Sequence, residues 1–197
     1  MAGDRAIIFR AEDAADGEAA VPPVVSKGSD GTTTHILTAP TPAAAAALAA
    51  EYADRGVTRV QLCGATGYPW LAEVEAAVRG RARVDTVLFG FESLLGIARY
   101  KERAIAGEAQ RDLFLYVLPG ADPAEDRFVR TAGPNTSTFV AVPEPGAGAA
   151  VVAESAEFAD GLGLIELYGD WDGDAVAAVI RAVDERVPVG IAVSSRP

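Results

Sequence analysis

Two stretches of the chain repeat one another. Glu51-Tyr52-Ala53-Asp54 runs into Val60-Gln61-Leu62-Cys63-Gly64, and about 105 positions later Glu157-Phe158-Ala159-Asp160 runs into Ile165-Glu166-Leu167-Tyr168-Gly169. The match extends outward, pairing Pro40-Thr41-Pro42 with Pro143-Glu144-Pro145, and Ala72, Val74 and Val78 with Ala177, Val179 and Val183. The spacing drifts by only a few residues, as small loop insertions produce. A period this long exceeds that of solenoid repeats and reads as a duplicated half-domain. Any fold for this chain must therefore accept one unit twice. Where the copies agree, the fold dictates the residue. Where polar residues differ at matched positions, one copy has specialised.

Apolar runs at Ala6–Phe9, Thr34–Ala39, Val57–Leu62 and Val84–Phe91 read as four strands of the first copy. Helices are expected from Pro42 to a Gly56 C-cap and from Pro69 to Arg79. Residues 10–33 read as a polar connection with turn signals at Pro22-Pro23 and Lys27-Gly28-Ser29-Asp30-Gly31. The second copy repeats the order, with strands at Leu113–Leu118, Thr138–Val142, Leu164–Tyr168 and Val187–Val193 and helices at Ala147–Ala159 and Asp174–Asp184. Asp122–Thr131 reads as a short helix or ordered loop. Between the copies, residues 92–110 form an amphipathic joint helix whose apolar stripe is Leu94, Leu95, Ile97, Ala98 and Ile105. The boundaries are thus 1–106 for the first copy and 107–197 for the second, expected to make one compact unit.

Strands alternating with helices imply an α/β fold with parallel strands and right-handed crossovers. The expected architecture is a pseudo-twofold tandem of a four-stranded β/α unit, eight mainly parallel strands in all. A compact β/α barrel and two packed open sheets both satisfy it. The segment from Arg111 to Val193, with Leu118-Pro119-Gly120-Ala121-Asp122-Pro123 and Ile165-Glu166-Leu167-Tyr168-Gly169, resembles an uncharacterised bacterial family of short α/β domains. The first copy resembles it through Val60-Gln61-Leu62-Cys63-Gly64. The resemblance implies an α/β fold and a tandem version of a natural dimer. It carries no activity.

Composition narrows the function. The net charge of −11 repels phosphate backbones and anionic membrane surfaces, so neither nucleic acid nor membrane is an expected partner. A single cysteine, Cys63, rules out an intrachain disulfide and suits a reducing, cytoplasmic location. The N-terminus has no signal-peptide pattern. With one histidine, His35, and one cysteine there is no ordinary zinc set. No Walker loop and no G-x-G-x-x-G after a strand occur, so no cofactor is expected. There is also no G-x-S-x-G elbow.

In parallel α/β folds, sites lie beyond the carboxyl ends of strands. That rule selects Glu166, Tyr168, Asp170, Trp171 and Asp172 after one strand, with Gln61, Cys63, Thr66, Tyr68 and Trp70 at the matched place in the first copy. Phe91 ends strand 4, and Ser194 and Ser195 end strand 8. Phe9, Arg10 and Glu12 end strand 1. Glu166 alternates with Ile165 and Leu167, and a carboxylate inside a strand is costly unless paired or proton-bearing. Glu166 is the candidate acid/base, with Tyr168 and the matched Gln61 as catalytic partners. Cys63, Thr66, Tyr68, Trp70, Phe91, Asp170, Trp171 and Ser194 are candidate substrate-binding residues. Asp170 and Asp172 are weak metal candidates, because Asp172 also suits a helix N-cap. The expected reaction is cofactor-independent proton transfer of isomerase, lyase or cyclase type on a small molecule. The alternative is a non-catalytic ligand-binding or assembly module, and the third is Mg-assisted chemistry at Asp170 and Asp172. A monomer or homodimer is expected.

Overall fold

The computed structural model describes residues 3–10, 22–154 and 161–194. Glu157-Phe158-Ala159-Asp160, Glu12 and Ser195 lie outside the described residues. The chain packs as two compact units, Met1–Val87 with Ala192–Pro197, and Leu88–Ile191.

The first copy holds β1 (Arg5–Arg10), β2 (Val24–Lys27), β3 (Thr33–Ala39), α1 (Pro42–Asp54), β4 (Arg59–Cys63), α2 (Tyr68–Val78) and β5 (Arg83–Phe89). Its strand order is β2-β3-β1-β4-β5. β1 runs parallel to β3 and β4, and β4 parallel to β5, while β2 pairs antiparallel with β3. After a short turn of 3₁₀ helix at Phe91–Ser93 come α3 (Leu94–Ile105), β6 (Arg111–Val117), β7 (Arg127–Ala132), β8 (Asn135–Val142), α4 (Gly148–Glu154), β9 (Leu164–Tyr168), α5 (Gly173–Ala182) and β10 (Val189–Ser194). The second copy's order is β7-β8-β6-β9-β10, the first copy's order repeated. β6 is parallel to β8 and β9, β9 to β10, and β7 is antiparallel to β8.

The α/β character and the duplication hold, but the strand count does not. Each copy has five strands in place of four, and its edge strand is antiparallel. β2 was hidden because Val24-Val25-Ser26-Lys27 is too short to show a period. It is held by a tight turn in which Gly28 N–H donates to Thr32 O at 2.8 Å and Asp30 Oδ1 accepts from Thr32 N–H at 3.0 Å. β7 replaces the expected helix or loop. Its residues alternate between exposed and half-buried, the period of a strand. A Gly133-Pro134 turn folds it onto β8, where Phe128 stacks on Phe139 with centroids 4.7 Å apart. Both edges are short and carry Lys or Arg, which blunts unwanted strand addition. The order reverses about the first strand of each copy, β1 or β6, as in doubly wound sheets. Neither copy therefore has the sequential strand order of a β/α barrel.

Helix ends follow the local signals. Thr41 Oγ1 accepts from Ala44 N–H at 3.2 Å ahead of Pro42, and Gly56 at φ +99° lets the chain leave α1. In each unit the strands bury one face beneath the helices. Ala6, Ile8, Leu37, Val60 and Leu62 pack with Ala45, Ala49, Leu71 and Val74 in the first unit. Leu113, Leu115, Val140, Ile165 and Leu167 pack with Val152, Ala175 and Val179 in the second. Each Val, Leu or Ile side chain among them stabilises the fold by roughly 1.5–3 kcal/mol on burial.

The joint helix is shorter than expected and turned over. Tyr100 is its buried residue, whereas Leu94, Leu95 and Ile105 of the expected packing stripe are exposed. Among the described residues no helix is long and apolar enough to cross a membrane.

Gly148 shows how closely α4 meets the second core. A Cβ there would lie 2.5 Å from Trp171 Cη2 and 2.8 Å from Cζ3. Gly148→Ala is expected to cost about 1–3 kcal/mol in urea unfolding, as overpacking does. Gly173→Ala, where a Cβ meets nothing within 4 Å, serves as the neutral control.

Candidate active site

The strand alternation that buries one face under helices puts a second, more polar set of residues on the other face. In the first unit that set includes Arg5, Ile7, Arg59, Gln61, Cys63, Arg83 and Asp85. In the second it includes Asp112, Phe114, Tyr116, Glu166 and Tyr168. Register makes the copies comparable atom row by atom row. Ile7 pairs with Gln61 and Gln61 with Asp85, while Phe114 pairs with Glu166 and Glu166 with Gly190. One row away, Arg5 pairs with Arg59, and Asp112 with Leu164. The equivalences are therefore Gln61 with Glu166, Asp85 with Gly190, and Arg5 with Asp112.

In the first unit the buried acid is Asp85, fully inaccessible to solvent. Its Oδ2 accepts from Arg59 Nε at 2.5 Å and from Gln61 Nε2 at 2.9 Å, and its Oδ1 accepts from Arg83 Nε at 2.9 Å. Two cations and an amide thus compensate one carboxylate, the condition under which a buried charge is tolerated. Gln61 spends its amide N–H on this network. Its Oε1 is buried with no partner.

The second unit puts its acids elsewhere. Glu166 is 1% exposed, and the hydroxyl of Tyr168, two residues on and on the same face, donates to Glu166 Oε2. A row of rings leads away from Tyr168: Phe114 lies 6.4 Å from Tyr168 and 4.8 Å from Phe139, centroid to centroid. Asp112 stands on the adjacent strand, one diagonal step from Glu166. Its Oδ2 accepts from the Tyr100 hydroxyl at 2.8 Å, and its Oδ1 has no hydrogen-bond partner. Room for the Tyr100 ring comes from Gly163, where a Cβ would sit 3.1 Å from Tyr100 Cδ2.

Burial pushes the Asp112 carboxyl up to about 7, with the Tyr100 hydrogen bond opposing, the Glu166 charge adding and Arg103 opposing. Burial also raises the Tyr100 hydroxyl above its ordinary value, helped by the Asp112 charge. Near neutrality Asp112 therefore exchanges a proton readily, the property expected of an acid/base group.

Other expected site residues go separate ways. Cys63 is fully buried, which opposes thiolate formation. Trp70 packs in the first unit's helix–sheet core. Trp171 packs in the second's, with Nε1 donating to Tyr168 O at 3.0 Å. Tyr68 and Phe91 are 69% and 90% exposed. Thr66 and Ser194 are half-buried and Asp170 is exposed. Asp172 caps α5, accepting from Ala175 N–H at 2.8 Å, with Asp174 in the first turn. Among the described residues no three His, Cys, Asp or Glu side chains gather as a metal site. His35 stands edge-on to Tyr52, with centroids 5.0 Å apart, and burial lowers its pKa.

Sequence reasoning missed Asp112, Tyr100 and Asp85. The strand was read from Leu113, leaving Asp112 just outside it. A signal was present, since Asp112, Phe114 and Tyr116 share one parity and Leu113, Leu115 and Val117 the other.

The model of a family of unknown function, DUF6506, matches the chain twice, over residues 6–102 and 110–196. The chain belongs to that family. No curated protein and no solved structure matches it. The two DUF6506 matches coincide with the two copies: the first spans β1 to β5 with most of α3, the second β6 to β10. By strand register Glu166 and Gln61 are matched positions of the two copies, a carboxyl in one and an amide in the other.

The raised Asp112 value has a thermodynamic consequence. An acid whose folded pKa lies above its unfolded value of 3.8 stabilises the fold fully below that value, and the contribution is lost as pH rises toward 7. Asp112→Asn mimics the protonated form. It is expected to melt close to wild type at pH 4 and several degrees above it at pH 8, read by differential scanning calorimetry.

Proposed function

We propose that the second unit is a cofactor-independent catalyst of proton transfer on a small, partly apolar molecule, of isomerase, lyase or cyclase type. Glu166 is the group that takes and returns the proton. Tyr168 holds its carboxyl in one orientation through the hydroxyl hydrogen bond. Asp112, with Tyr100 behind it, is the second proton-bearing couple on the same sheet face. The observation that carries this reading is the Glu166–Tyr168 pair, a buried carboxyl with a hydroxyl donor. A carboxyl shielded from water and oriented by a hydroxyl donor is the type of group that serves as an acid/base in proton transfer. Carbon acids next to a carbonyl are the substrates that this chemistry suits, and acid/base groups suffice for them.

Gln61 is left out of the mechanism, since its amide serves Asp85. That same network favours a second reading. In the first unit a buried acid is a purely structural device, so the acids of the second unit can equally fix the fold of a non-catalytic binding or assembly module.

Deuterium exchange separates the two. The protein is incubated in D₂O with a panel of small ketones, 2-oxo acids and lactones, and loss of the α-proton signal is followed by NMR. Wild type is expected to exchange at least one panel member, and Glu166→Gln to lose roughly 10²–10⁴-fold of that rate while keeping its fold. Tyr168→Phe is expected to retain an intermediate rate. Exchange by wild type no faster than by Glu166→Gln would remove the catalytic role.

A further inference from the structure

We propose that α3 is a proton-controlled lid beside the acids of the second unit, latched by the Tyr100–Asp112 hydrogen bond and loosened when Asp112 ionises. The use of such a lid rests on the acid/base reading above; the opening itself does not, and is measured with no substrate present. The geometry is that of a helix held at few points. Its flanks are tied: Ser93 Oγ accepts from Val189 N–H at 3.1 Å, and Gln110 N–H donates to Asn135 Oδ1 at 3.0 Å. Between these ties Tyr100 is the buried residue of α3, and Gly96 meets Pro188, where a Cβ would lie 3.1 Å from Cδ. Residues 101–109 are all exposed. A helix of 12 residues is marginal in water on its own, so its order depends on this docking. Few buried contacts mark a segment that opens before the rest of the fold. Tyr100 reaches Asp112, one diagonal step from Glu166, and Glu166 and Tyr168 are buried. A molecule that is to meet such groups needs an opening, and α3 is the lightly held element next to them.

The latch closes on a carboxyl whose ionised form is poorly provided for. Asp112 is buried, its Oδ2 has the Tyr100 hydroxyl at 2.8 Å, and its Oδ1 has no hydrogen-bond partner. Of the charged groups around it, Arg103 from α3 favours ionisation and Glu166 from β9 opposes it. Ser137, the β8 residue in register with it, is neutral. Arg103 is exposed, so water screens its charge. Tyr100 stays protonated, since burial raises its hydroxyl above the ordinary value. With the helix docked, burial raises the carboxyl to about 7; with the helix open, water returns it toward the ordinary 3.8. The docked state therefore binds the proton more tightly. Docking is favoured in full below 3.8, weakens as pH rises from there toward 7, and is weakest above 7.

Hydrogen–deuterium exchange of the full chain, read by mass spectrometry at pH 5 and pH 8 and corrected for the intrinsic rates, follows the lid. At both values the α3 amides are expected to be less protected than those of β6, because α3 opens without the sheet. From pH 5 to pH 8 their protection in wild type is expected to fall about tenfold or more. Asp112→Asn keeps an acceptor for Tyr100 but carries no proton to lose, and is expected to level the two values. Tyr100→Phe is an independent check. It is expected to lower α3 protection more at pH 8 than at pH 5, because a hydroxyl bonds a carboxylate more strongly than a neutral carboxyl. Protection of α3 equal to that of β6 would show that the helix opens only with the whole fold, and would overturn the proposal. So would a wild-type fall no larger than that of Asp112→Asn, or a Tyr100→Phe loss equal at the two values.

Discussion

A carboxylate on a buried sheet face must be compensated by cations, by hydrogen-bond donors or by a proton. The two copies of this fold meet that demand in different ways. In the first, Asp85 gathers Arg59, Arg83 and Gln61 and becomes a closed structural network. In the second, the place of Asp85 is taken by Gly190, the acid has moved to Glu166, and the Tyr168 and Tyr100 hydroxyls donate to Glu166 and Asp112. A hydroxyl compensates a charge less fully than a guanidinium does. Burial accordingly leaves Asp112 with a carboxyl raised to about 7.

This division follows from duplication. A fold built twice must satisfy its backbone and its apolar core twice, and those constraints keep Val60 and Leu62 close in kind to Ile165 and Leu167. The face opposite the helices is freer. There, matched positions have diverged in charge: Arg5 against Asp112, Gln61 against Glu166, Asp85 against Gly190. On that face the two copies of a repeated frame carry different charges. The family match spans both halves.

Much of the frame was legible in the chain. Pro42 and Gly56 bracket α1 as local sterics require, and the parallel strands follow from continuous apolar runs separated by helices. The edge strands were not legible. Val24–Lys27 has too few residues to show a period, and Arg127–Ala132 is polar enough to pass for a loop until its pairing with β8 is seen. Helix α3 misled for another reason. Its apolar stripe was taken as the packing side, but Tyr100, with an apolar ring and a hydroxyl that needs a buried partner, won that side. Glu166 within its strand was legible by alternation, whereas the burial of Trp70 and Trp171 in the two cores was not. Large rings next to strand ends pack into a core as readily as they line a pocket, and sequence does not separate the two.

The sequence by itself determined the duplication, the α/β class and the presence of an acid within a strand, because periodicity and turn chemistry are local properties of the chain. Which groups surround that acid was decided only by tertiary structure. Asp112 precedes Glu166 by more than fifty residues and Tyr100 lies on a helix before both. Parallel pairing of β6 with β9 brings the acids to one face, and the docking of α3 supplies the hydroxyl. Burial, which sets the proton affinity of Asp112, exists only once those elements close around it.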